Sequence, residues 1–146
     1  MSDRLQEAIR LFTDVMVYGQ NEVFRKVENE LHKELSMEQI KMLNWLERYG
    51  PLTSKELTEL QGGHKSATSS RLKKLVDKEY VKVVQKEDDR RVKHVEFTEK
   101  GASAYKEAKE QVNEYLSSVL EGIENEEIDQ FIYIFSKVKE LLKKQN

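Results

Sequence analysis

The chain has 146 residues, 38% hydrophobic and 36% charged, with one proline, six glycines and a net charge of −2. That length supports one domain with its own core, and the composition suits a mostly helical protein. The absence of cysteine excludes disulfides, thiolate chemistry and cysteine-ligated zinc, and no run approaches the roughly 20 apolar residues of a membrane span.

Residues 4–33 read as one long helix. Leu5, Ile9, Phe12, Met16, Val23, Val27 and Leu31 recur every three or four residues, and Gly19-Gln20 marks a bend. Such a helix would be roughly 42 Å long at 1.5 Å per residue, so part of it should lie outside its own core. Met1-Ser2-Asp3-Arg4 leads straight into this pattern rather than into a secretory signal, which suggests a cytoplasmic protein.

Ser36-Met37-Glu38-Gln39 has capping-box spacing. It opens a helix whose Ile40, Met42, Leu43, Trp45 and Leu46 face inward, and which ends at Gly50-Pro51. Thr53-Ser54-Lys55-Glu56 repeats the box before a short helix with Leu57 and Leu60 as contacts. Gly62-Gly63 then breaks the chain before a helix over residues 64–78. Short helix, glycine turn and longer helix make a helix-turn-helix pattern.

In that longer helix Thr68, Leu72, Leu75 and Val76 form the edge expected to be buried. Lys65, Ser66, Ser69, Ser70, Lys73 and Lys74 line the opposite edge, with Arg71 leaning toward it. No carboxylate appears before Asp77, whereas an ordinary exposed helix interleaves glutamate to pair with its lysines. Residues 64–94 hold ten basic and five acidic residues. That is a local +5 in a chain whose remainder carries −7, a field that attracts phosphate while the rest repels it.

Residues 80–85 and 92–97 alternate as two strands of a hairpin, with Val81 and Val83 facing Val95 and Phe97. The tip, Glu87-Asp88-Asp89-Arg90-Arg91, carries two arginines that suit the negative potential of a narrow minor groove. A nearby aspartate can hold an arginine extended, reducing its loss of rotamer freedom on binding. A plain polar turn is the alternative. Thr98 is placed to cap the next helix. Its stripe runs through Tyr105, Ala108, Val112, Tyr115, Leu116, Val119 and Ile123. Asn125 is placed to cap a last one, unusually apolar, with Ile128, Phe131, Ile132, Ile134, Phe135, Val138, Leu141 and Leu142. The first and last helices both have more apolar surface than a small domain readily covers, which suggests a symmetric dimer built from the two chain ends; mutual cover within a monomer is the alternative. The three histidines, His32, His64 and His94, are scattered, so no metal site, cofactor loop or catalytic set is expected.

Residues 38–101 resemble the MarR family of bacterial winged-helix regulators. Asp89-Arg90-Arg91-Val92-Lys93-His94-Val95-Glu96-Phe97-Thr98-Glu99-Lys100-Gly101 is similar to that family's wing signature, with Phe97 in a leucine position. Leu43, Leu46, Gly50-Pro51-Leu52-Thr53 and Glu56-Leu57 also match. The resemblance implies a mainly α fold with a small β-hairpin wing. It implies one domain over 1–146, with residues 1–34 and 102–146 dimerising and 36–101 forming the DNA-binding lobe. It further implies a homodimeric regulator of double-stranded DNA on a pseudo-palindromic operator, acting as a repressor. The DNA-binding set is then Thr53, Ser54, Lys65, Ser66, Ser69, Ser70, Arg71, Lys73, Lys74, Asp89, Arg90 and Arg91. In this set Asp89 braces Arg91 for the minor groove and Arg90 meets the tip's backbone or phosphates. The family also implies a small aromatic or phenolic effector, for which Phe12, Met16, Met42 and Trp45 are the candidate lining; core packing is the alternative for those four. His64, Thr68, Ser70 and Glu79 depart from the family pattern. Glu79 stands where a glycine ends the recognition helix, which would cost on the order of 1 kcal/mol if the backbone is left-handed there. The competing function is a protein-interaction module that uses the winged helix as a scaffold without DNA.

Overall fold

The computed structural model describes residues 1–145. Met1–Val112 forms one compact unit, and the chain from Asn113 onward forms a second.

In the first unit, α1 (Asp3–Lys26) starts at Ser2, whose hydroxyl accepts the Leu5 N–H at 3.2 Å. It passes through Gly19 as unbroken helix; one glycine lowers helix propensity by about 1 kcal/mol without ending the helix. None of its residues is buried. The single helix expected over 4–33 is also corrected. Val27 is extended, and Asn29 caps a separate short helix, α2 (Glu30–Glu34), by accepting the His32 N–H at 2.8 Å. The apolar period runs through this break because Val27, Leu31 and Leu35 are all buried.

Helix α3 (Met37–Tyr49) has the capping box expected at Ser36 and Gln39, with bonds of 3.2 and 2.8 Å. It ends at Gly50, whose φ of 76° comes with a ψ of −157°. The exit is therefore a glycine-only extended conformation rather than the left-handed turn expected. Helix α4 (Ser54–Gln61) starts from the Thr53–Glu56 box, and α5 (Lys65–Asp77) follows the turn at Gly62. Leu43, Leu46, Leu57 and Leu75 meet in one core with Tyr80, Val81 and Val95.

Strands β1 (Val81–Gln85) and β2 (Lys93–Phe97) pair antiparallel, with Val81 opposite Phe97 and Val83 opposite Val95. The face is only partly buried. Val83 is 48% exposed although Val95 opposite it is buried, because β1 is the outer strand while Val95 lies between β1 and Leu52. Leu52 exchanges two backbone hydrogen bonds with Val95, at 2.7 and 3.1 Å, tying the segment before α4 to the hairpin.

Helix α6 (Glu99–Val119) is capped by Thr98, whose hydroxyl accepts the Gly101 N–H at 2.9 Å. A Cβ at Gly101 would lie 1.8 Å from the Tyr80 carbonyl oxygen. Only glycine allows this backbone-on-backbone approach.

In the second unit, α7 (Asn125–Lys143) is preceded by Glu124 rather than by the expected Asn125 cap. The Glu124 N–H donates to the Glu127 carboxylate at 3.0 Å. No residue of α7 is buried, and Phe131 and Phe135 stack at 4.1 Å on its surface. Among the described residues no helix is long and apolar enough to cross a membrane.

Candidate nucleic-acid interface

Helix α5 is held by Thr68 and Leu75, both fully buried, and by the half-buried Leu72 and Val76. That fixes its outward edge. Lys65, Ser66, Ser69, Ser70, Lys73 and Lys74 are exposed there, and Arg71 is half-buried on the flank. Among the described residues no ion pair within 4.0 Å engages Lys65, Arg71, Lys73 or Lys74. Elsewhere Arg10, Lys41, Lys82 and Lys109 each sit beside a carboxylate. The cations of α5 therefore keep their whole field for an outside partner.

The helix ends in a tight cap. The Tyr80 N–H donates to the Leu75 carbonyl at 3.0 Å and the Glu79 N–H to the Val76 carbonyl at 2.9 Å. This is the double bond pattern of a left-handed helix stop. Glu79 has a φ of 63°, so a residue with a Cβ does occupy the position where the family resemblance implied glycine.

At the hairpin tip, Asp89 accepts the Arg91 backbone N–H at 3.0 Å and its Nε–H at 3.2 Å. The Arg91 side chain is nevertheless 92% exposed. The Arg91 side-chain bond, then its backbone bond, holds the Asp89 carboxyl below its ordinary range, so the brace stays charged. The Val92 N–H closes the turn onto the Asp89 carbonyl at 3.1 Å. Arg90 is exposed beside it.

Thr53 and Ser54 are half-buried at the start of α4. The Thr53 hydroxyl already accepts from the Glu56 N–H and donates to the Glu56 carboxylate, at 3.1 and 3.0 Å. Of the four effector candidates, Met42 is sealed in the core. Trp45 packs against that core and stacks on Tyr49, while Phe12 and Met16 lie exposed on α1. An open groove of about 690 Å³ lies at the root of the hairpin, and none of the four lines it.

The MarR family model matches residues 35–93, which spans α3 to the start of β2. An uncharacterized HTH-type transcriptional regulator of Bacillus subtilis, YdgG, is 32% identical over 142 residues, 96% of this chain and 93% of that protein. The chain belongs to the MarR family. The HTH-type regulator TcaR of Staphylococcus aureus is 29% identical over 98% of this MarR-family chain and 96% of its own. A MarR family protein from Bacillus stearothermophilus superposes with a TM-score of 0.86 at 24% identity, covering 98% and 99% of the two chains. Escherichia coli MarR gives 0.72 at 21% identity over 88% of this chain and 94% of its own. The winged helix-turn-helix fold and a role as a DNA-binding transcriptional regulator follow from these relationships.

Sequence reasoning about this MarR-family chain missed several supports of the site. Leu52 was matched to the family but not seen as a strand partner of Val95. Gly101 was matched without its reason, the approach to Tyr80. Glu34 carried no signal, because its partner, Tyr80, lies 46 residues away.

Proposed function

We propose that the protein is a homodimeric repressor that reads a pseudo-palindromic operator with α5 in the major groove and the hairpin tip in the minor groove. The observation that carries this is the set of unpaired cations on α5 together with an exposed Arg91 held in place by Asp89. Lys65, Arg71, Lys73, Lys74 and Arg90 supply the phosphate attraction, so binding is strongly salt-dependent. Ser66, Ser69 and Ser70 meet base edges or phosphates, with Thr53 and Ser54 beside them. The unburied apolar stripes of α1 and α7 take a second copy as their cover, which places two lobes on half-sites about 34–36 Å apart. Repression follows from occupancy of the operator in the cytoplasm.

Arg91→Ala tests this reading. Operator affinity in an anisotropy titration should fall about tenfold, as expected for one groove-reading arginine, while the dimer persists. Undiminished affinity would remove the wing from the mechanism. Retention of the intact protein on random duplex DNA, released by salt, separates the DNA reading from a protein-only scaffold.

A small aromatic or phenolic effector is part of the proposal. It would act by shifting the population of lobe spacings able to meet both half-sites. Phe12 and Met16 offer exposed apolar surface for it, and Trp45, the single tryptophan of the chain, lies at the core's edge beside buried Met42. Titration with a phenolic acid should change Trp45 fluorescence and weaken operator binding over the same concentrations; two unrelated curves would sink the effector reading.

A further inference from the structure

Three stretches far apart in sequence meet at Tyr80, directly after the end of α5. Its ring is fully buried, and its hydroxyl donates to the Glu34 carboxylate at 2.6 Å. A bond also runs back between the same segments: Lys78 Nζ donates to the Glu34 backbone carbonyl at 2.9 Å. Lys100, from α6, donates to the Lys78 carbonyl at 3.0 Å and sets its ammonium 4.9 Å over the Tyr80 ring. The Thr98 hydroxyl reaches the Glu79 carbonyl at 2.5 Å.

Two hydrogen bonds from one residue to two points on another segment restrict rotation as well as translation. The buried Thr68 and Leu75 select which edge of α5 faces outward; one bond alone would leave the helix the small roll that this packing permits. Such a roll swings every outward side chain in the same sense, so the groups that reach for base edges shift together. α2 is a firm anchor for this purpose, because Leu31 and Leu35 are buried, and it lies beyond the break that separates it from α1.

We infer that Glu34 is a positioning residue for sequence reading: it touches no DNA, but its clamp on Tyr80 and Lys78 holds the fine rotation of α5 within the face its buried edge selects, and so the aim of the side chains that meet the bases. The inference rests on the DNA-binding reading above. Burial, followed by the bond to Glu34 and its charge, raises the Tyr80 hydroxyl pKa, which keeps the proton on the donor.

The experiment uses the full chain and a duplex selected by the wild-type protein from a random-sequence pool, compared with a scrambled duplex of equal length. Glu34→Ala and Tyr80→Phe should each lower affinity for the selected duplex about tenfold, the fold-change that one hydrogen bond to a charged group corresponds to. Binding to the scrambled duplex should stay unchanged. The double variant should lose no more than either single one, and Glu34→Gln, which still accepts from the tyrosine, should keep the selectivity. A purely structural contact would lower the melting temperature and leave the ratio of the two affinities intact. Full selectivity in Tyr80→Phe, or losses that add, would overturn the inference. If the wild-type protein selects no duplex, the DNA reading itself has failed. Amide exchange then decides the clamp: Lys33, Leu35 and Lys78 should exchange faster in Tyr80→Phe, and unchanged exchange refutes it.

Discussion

Helices α5 and α7 are both unfinished surfaces, but of opposite chemistry. α5 buries its apolar edge completely at Thr68 and Leu75 and leaves its cations without carboxylates. No residue of α7 is buried, and Ile128, Phe131, Ile132 and Leu142 are exposed. Unpaired charge is tolerable in water, where screening limits its cost. A long exposed apolar stripe is not, because each such side chain forgoes part of the about 1.5–3 kcal/mol that full burial contributes. The first surface can wait for its partner while the second needs one continuously. DNA and a second copy of the chain fit those two requirements in that order.

The comparison breaks most visibly at α7. Phe131→Asp should convert the dimer to monomer in sedimentation at micromolar concentration. Operator affinity should fall about a hundredfold or more, since two linked half-sites become one. A dimer that survives would mean α7 is covered by something else. On α5 the effect should be smaller and of another kind. Lys73→Ala with Lys74→Ala should reduce the salt slope of binding by about two, one for each lost phosphate contact. The weakening should be the same on selected and random duplexes, with dimerisation untouched. An unchanged slope would place those lysines away from the phosphates. The smallest effect concerns the buried side of α5. The Thr68 hydroxyl is buried without a hydrogen-bond partner, so Thr68→Val should raise stability by about 1 kcal/mol in urea unfolding and leave DNA affinity as it was. A destabilised variant would show that the hydroxyl is satisfied in solution.

The lobe from α3 to the hairpin was legible because its boundaries are written in local chemistry. Ser36 with Gln39, Thr53 with Glu56, and the glycines at 50 and 62 act within three or four residues of where they stand. The hairpin was legible from alternation, and the Asp89–Arg91 brace from the family resemblance. What could not be read was non-local or masked by periodicity. The break at Val27–Asn29 is invisible to a period count, because Val23, Val27 and Leu31 keep helical spacing across it. Alternation placed Val83 on the core side of the sheet, but could not show that β1 is the outer strand, where Val83 stays exposed beside buried Val95. Glu34 and Tyr80 are joined only by the fold. Met42 and Trp45 matched an inward-facing pattern that serves the core as well as it would serve a ligand.

The paired bonds between Leu52 and Val95 have a mechanical corollary. They strap the chain entering α4 to the middle of β2, so the hairpin cannot tilt unless the helix pair moves with it. Each lobe would then meet a duplex as a stiff two-pronged fitting of fixed span. In the proposed dimer, accommodation to a stretched or bent site would then come from the spacing between protomers.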